Sequence, residues 1–280
     1  MTASEPTGAE WPEYRIAAKG LAADPENKIH TDEVARTLGF SGGLVGGTTI
    51  YAYMTHPLVE RLGEAWFRSG RAELTLFKPA YSGDLLTVRT HQASGREEQG
   101  SIVVRAMNEQ GVELARLETS LGATLPPPDP RAATEGLAKP HGAEKPLVSW
   151  DGIVLGDPFW AMPWKPGEEE NREWTDRVGE TLALYRGGEG APLHPGLVLQ
   201  AANDIFKENF LLPAWIHVSS QITFREVLRV GQSLEVRAVP VEKFEKKGHQ
   251  FVELIVGIIS RGNLALEVRH KAIFKVAEPV

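Results

Sequence analysis

Apolar residues recur at helical spacing through GLVGGTTIYAYMTHPLVERLG (43–63), with few charges on any face. That pattern predicts a helix buried on most sides. Four runs rich in aliphatic and β-branched residues follow it: RAELTLFKPA (71–80), LLTVRTHQA (85–93), GSIVVRAMNE (100–109) and VELARLETSLGA (112–123). Each has strand length and is bounded by Gly, Pro or a polar cluster, so each reads as a β-strand. The order then recurs. GLVLQAANDIFKENFLL (196–212) predicts a second helix, and WIHVSSQITF (215–224), SLEVRAVPVEKF (233–244), HQFVELIVGIIS (249–260) and LALEVRHKAIFKV (264–276) predict four more strands.

Between the two sets lies TLPPPDPRAATEGLAKPHGAEKP (124–146), with six prolines and few large apolar residues. It predicts an exposed linker, dividing the chain into an N-terminal repeat (1–123) and a C-terminal repeat (147–280). Gly43-Leu44-Val45 matches Gly196-Leu197-Val198, Gly83 matches Gly231, and Trp66 and Trp215 follow their helices at similar distances. The spacing is that of a two-fold repeat of about 150 residues. One long apolar helix followed by strands with short connections calls for a curved antiparallel sheet wrapped around it. The predicted class is therefore α+β, a hot-dog fold present twice in one chain.

Composition narrows the functional classes. The net charge of −7 argues against nucleic acid as a bulk partner. With no cysteine, disulfides, thiolate metal sites and cysteine nucleophiles are closed. No secretory leader or membrane-length apolar run is visible, so a soluble cytoplasmic protein is expected. No His or acidic pair shows metal-ligand spacing, and no phosphate-binding glycine loop or G-x-S-x-G elbow occurs. No cofactor or metal is expected.

The chemistry-bearing stretch is DPENKIHTDEVARTLGFSGGLVGGTT (24–49). It brings Asp24, Asn27 and His30 close together ahead of the glycines that begin the first helix. A histidine and a carboxylate within reach of one water can share its deprotonation and a proton return to carbon. The start of a long helix presents unpaired N–H groups and the positive end of its dipole. Gly46 and Gly47 let a substrate carbonyl approach that backbone. Against this, Asp24 also reads as a turn former before Pro25, Asn27 as a loop hydrogen-bonder, and His30 as the residue ahead of a Thr31 helix cap.

The run Asn27-Lys28-Ile29-His30, then Ala35, Gly39-Phe40 and Gly43-Leu44-Val45-Gly46-Gly47, resembles the MaoC-like or (R)-specific enoyl-CoA hydratase family. That family's pattern is roughly D-x-N-P-(L/I)-H, an alanine, G-F, two residues, P-I-x-H-G. Asn27, His30 and Gly47 fall on matching positions. Lys28 replaces the motif proline, Gly46 replaces the second histidine, and Asp24 stands six residues before His30 rather than five. The resemblance implies water addition that interconverts 2-enoyl and (R)-3-hydroxyacyl thioesters of coenzyme A or an acyl-carrier protein. It also implies one catalytic half, here the N-terminal one, and a second half that accommodates the acyl chain.

In the C-terminal repeat no such run precedes the helix. His194, Asn203 and His217 are the candidates there for a shared cleft, Asn203 reading equally well as a polar position between the halves. His217, in WIHVSS, also reads as a strand residue satisfied in the core or at the surface, and His56, His249 and His270 read as structural. EEENRE (168–173) reads as a solvated helix face, and Lys246, Lys247, Arg269 and Lys271 as surface cations that could meet a nucleotide phosphate. Two other functions fit the pattern: a hot-dog thioesterase using Asn203-Asp204, and a non-catalytic acyl-thioester-binding protein. Because two hot-dog units already form a pair, a monomer or a homodimer is expected.

Overall fold

The computed structural model describes residues 8–20, 27–93, 101–121 and 124–277. Two short strands, β1 (Gly8–Glu10) and β2 (Tyr14–Ala17), lead to a 3-10 turn at Lys28–His30 and to helix α1 (Asp32–Thr37). Helix α2 (Gly47–Leu62) follows, then α3 (Ala65–Arg68) and strands β3 (Gly70–Leu76), β4 (Leu85–Ala93), β5 (Ser101–Met107) and β6 (Glu113–Leu121). The second half opens with β7 (Met162–Trp164) and α4 (Glu168–Val178). Helix α5 (Pro195–Asn209) and strands β8 (Ile216–Phe224), β9 (Leu234–Lys246), β10 (His249–Ser260) and β11 (Asn263–Lys275) complete it.

All the strands join one antiparallel sheet, in the order β1-β4-β5-β6-β3-β8-β11-β10-β9-β7, with β2 beside β4. The order is symmetric about the β3–β8 pair, which aligns Gly70 with Phe224 and Thr75 with Ser219. Each half supplies four strands around one buried helix, and the fold is a double hot-dog. Residues 48–59 of α2 are buried without a break, because a helix apolar on every side must be enclosed. Helix α5 lies against it so closely that a Cβ on Gly196 would come within 2.8 Å of the Ala52 side chain.

The strands and helices follow the sequence pattern, but the tripeptide match does not mark equivalent positions. Gly43-Leu44-Val45 precedes α2 in an extended segment, whereas Gly196-Leu197-Val198 lies in the first turn of α5. The two helix caps are Gly46 and His194, 148 positions apart, and the left-handed turn glycines Gly83 and Gly231 are also 148 apart. Positions 43 and 196 differ by 153, so their likeness is a coincidence of composition. The Pro-rich stretch 124–146 is exposed along most of its length, yet it is pinned to the second half of the sheet. Arg225 donates to the Pro126 carbonyl at 3.1 Å, and Ala132 is fully buried.

A buried polar cluster locks the helices together. One oxygen of Glu180 accepts from the His56 ring at 2.9 Å and from the amides of Thr181 and Leu182 at 2.7 and 2.8 Å. Its other oxygen lies 3.5 Å from His194 Nε2. His56, without a partner by sequence spacing, thus belongs to a network joining α2 to the α4–α5 segment. Burial alone would raise the Glu180 pKa, but hydrogen bonds from His194, His56 and the Leu182 amide outweigh it and hold the carboxyl well below its ordinary range. A carboxyl depressed in the fold adds stability that is complete above the ordinary range near 4.5 and disappears as pH falls through the folded value. Glu180→Gln is therefore expected to lower the unfolding free energy by roughly 3 kcal/mol at neutral pH. Denaturant titrations should show the deficit narrowing below about pH 4.5; equal stability at neutral pH would contradict it.

Candidate functional site

The loop before α2 is held from three sides. Asp32 Oδ1 accepts from the Gly43 amide at 2.8 Å, Leu44 donates to Ile29 O at 3.2 Å, and Val45 donates to Ala80 O at 2.9 Å. Gly43 passes so close beneath the 3-10 turn that a Cβ there would lie 2.1 Å from the His30 carbonyl oxygen. Absence of a side chain at 43 is thus a condition for where His30 sits.

His30 Nδ1 is 2.7 Å from Leu44 O, and a carbonyl can only accept, so the proton is placed on Nδ1. That leaves Nε2 as the acceptor. Asn27 lies 3.2 Å away through its amide nitrogen. The orientation of Asn27 is set by the other half of the molecule: its Oδ1 accepts from Trp215 N at 3.1 Å and its Nδ2 donates to Trp215 O at 3.0 Å. Asn27 is buried, and it keys the N-terminal loop to the beginning of β8.

His30, Gly46 and Gly47 border a cavity of about 310 Å³ with largely apolar walls, including Ile29, Phe40, Leu44, Ile50, Leu76 and Ile273. Lys78 and His249 also line it. A smaller recess of about 30 Å³ shares His30, Gly46, Gly47, Trp215 and His217 with the larger cavity and extends to Thr48, Gln200, Asn203 and Lys207. The amino end of α2 faces this space with Gly46 as its cap and no side chain bonded there. The Thr49 amide donates back to Gly46 O at 2.9 Å, and the amides ahead of it, of Gly47 and Thr48, are the ones that a helix start leaves without an internal acceptor.

The sequence candidates are thus partly gathered. His30, Asn27, Gly46, Gly47 and Asn203 lie around the cavity and its recess, with the Asn203 Oδ1 accepting from Trp215 Nε1 at 2.5 Å. Asp24 lies outside the described residues. His194 does not reach this space. It is fully buried at the cap of α5, its Nδ1 accepts from the Gly196 amide at 2.9 Å, and its Nε2 faces Glu180. Burial lowers its pKa, only partly opposed by Glu180.

His217, the third cleft candidate of the C-terminal half, is brought to the site by an irregularity in its strand. It borders both the cavity and its recess, and its Nε2 lies 2.8 Å from Ser220 Oγ, which lies 3.0 Å from His270 Nδ1. Residues three apart on a regular strand face opposite sides. Here β8 shifts register against β11 between the pairs Ser219–Lys271 and His217–Ala272, so Val218 is bulged out. The bulge turns His217 to the same face as Ser220. Burial lowers its pKa to about 4, a contact with the Ser219 backbone opposing this in part, and burial drives His270 well below the imidazole range. Among the described residues no group of three or more His or acidic side chains is placed to hold a metal ion.

No family model matches the sequence, and no curated relative matches it. Solved structures match the fold. A Chloroflexus aurantiacus protein described as a MaoC domain dehydratase superposes with a TM-score of 0.65 at 10% identity, covering 98% of this chain and 99% of its own. A Mycobacterium tuberculosis protein with a double hot-dog fold gives 0.60 at 12%, over 95% and 96%. A Lactobacillus plantarum protein described as an oleoyl thioesterase gives 0.52 at 9%, over 96% and 98%. At these identities the likeness is one of fold. No helix among the described residues is long and apolar enough to cross a membrane.

Gly43→Ala drives a methyl into the His30 carbonyl. It is expected to destabilise the protein by about 1–3 kcal/mol and to shift the His30 side-chain resonances in an NMR spectrum; an unchanged spectrum would show that the loop yields elsewhere.

Proposed function

We propose that the protein is a hydratase or dehydratase that interconverts 2-enoyl and (R)-3-hydroxyacyl thioesters, of coenzyme A or of an acyl-carrier protein. The observation that carries the reading is that His30, with its acceptor nitrogen toward Asn27, shares one apolar cavity with the open amino end of α2. The apolar walls suit an acyl chain, and the volume lies at the small end of ligand pockets. Lys78 and His249 add basic groups for the anionic handle of the thioester.

In the hydration direction, a water on the substrate takes the place of the Asn27 contact at His30 Nε2. That nitrogen removes one proton as the hydroxyl oxygen bonds to C3. The C2–C3 π electrons move toward the thioester oxygen, which rests on the first-turn amides of α2. The imidazolium then returns its proton to C2, and the carbonyl re-forms. Dehydration reverses each transfer. Asp24 enters this scheme as a second acid–base candidate on sequence grounds.

Geometry favours this reading over a thioesterase at Asn203-Asp204. Asn203 already accepts from Trp215, and Asp204 takes up Gln200 at 2.7 Å and Lys207 at 2.7 Å. A carboxylate so occupied is poorly placed to activate water. His30→Ala is expected to reduce hydration of crotonyl-CoA by on the order of 10²- to 10⁴-fold while leaving the melting temperature near that of the parent. An undiminished rate would remove the reading, and thermal stabilisation by the thioester without turnover in the parent would point to a binding protein.

A further inference from the structure

A polar atom with no partner is unusual in a dry site, and His217 Nδ1 is one. The side chain is 7% exposed, Nδ1 is fully buried, and no hydrogen-bond partner lies within reach of it. It borders the cavity at a defined point: a Cβ on Gly47 would come within 2.8 Å of this nitrogen. The ring nitrogen therefore packs beside Gly47, where α2 begins, and the two residues, one from each half of the chain, line the same cavity.

The Ser220–His270 pair couples the tautomer of His217 to that of His270. The imidazoles are neutral, so each carries one N–H. His270 is fully buried, and its Nε2 also lacks a partner. With its proton on Nδ1, His270 donates to Ser220 Oγ, and the serine hydroxyl donates onward to His217 Nε2. His217 then carries its proton on Nδ1, pointing at the cavity. Either polarity leaves one N–H without a protein partner, at His217 Nδ1 or at His270 Nε2; His217 lines the cavity and His270 does not, so the forward polarity is the one in which a bound ligand can accept that N–H.

Resting on the thioester reading above, we infer that His217 supplies a second donor to the thioester carbonyl: its Nδ1–H joins the first-turn amides of α2 around the oxygen that becomes negative as water adds. It is a catalytic residue contributed by the C-terminal half, from a repeat with no hydratase-like motif. Neutral imidazole suits the task, since it donates one hydrogen bond without tying up a counter-charge. Ser220 and His270 are positioning residues that hold the donor tautomer. No net proton is gained or lost by His217 in either direction.

Two measurements test this on the full-length protein. The first is turnover of crotonyl-CoA. The second is the affinity for butyryl-CoA against its thioether counterpart, S-butyl-CoA, in which a methylene replaces the carbonyl. The parent should bind the thioester more tightly than the thioether. His217→Ala should weaken that preference and lower kcat by on the order of 10²-fold. His217→Asn places an amide N–H near the position of Nδ1 and should restore most of both; it also remains informative if the alanine variant unfolds. Equal losses in the two folded variants would overturn the inference, because a packing role treats both alike. A preference left undiminished by His217→Ala would overturn it whatever the turnover. A parent that does not hydrate, yet shows a carbonyl preference that His217→Ala weakens, would remove the hydratase reading and leave this inference standing.

Discussion

The ladder between β3 and β8 joins the two halves edge to edge and makes one continuous sheet of them. Without it each half would expose a row of unpaired backbone groups. The same junction builds the site. β8 begins at Ile216, and the residue before it, Trp215, presents both of its backbone hydrogen-bonding groups to Asn27. A loop from the first half is thereby fixed by the strand of the second, and His30 takes its place relative to α2 through that loop. Local propensity alone would not hold a three-residue turn in this position; the tertiary clamp does.

Much of this was legible in the chain itself. Helix α2, helix α5 and the eight main strands follow hydrophobic patterning, because a helix without a polar face and strands of matching length have few other ways to hide their surface. His30, Asn27 and the paired glycines were found because they lie within one short segment, where spacing speaks directly. What stayed hidden depends on registers between distant strands. The face that His217 presents is such a case: three residues from Ser220, it would lie on the opposite face of an ideal strand, and one bulged residue reverses that. His194 looked like a cleft residue because it precedes a helix as the polar stretch does in the first half. The carboxylate that turns it inward, Glu180, comes from a segment with no counterpart there.

The repeat also shows how a plausible alignment can mislead. A shared Gly-Leu-Val suggested equivalent positions, yet one glycine accommodates a carbonyl above it and the other permits contact between two helices. Both roles require a missing side chain, so composition could not separate them. The turn glycines at 83 and 231 keep the true offset because a left-handed backbone restricts residue choice more strongly than packing does.

The two helix caps have a consequence for symmetry. At α5, the His194 ring accepts the Gly196 amide, and Pro195 has no amide hydrogen to offer, so that helix's amino end is satisfied from within. At α2 a bare glycine leaves the corresponding end open. A molecule built from two near-copies therefore closes one helix start with an imidazole and leaves its counterpart bare, so the two halves are not interchangeable there.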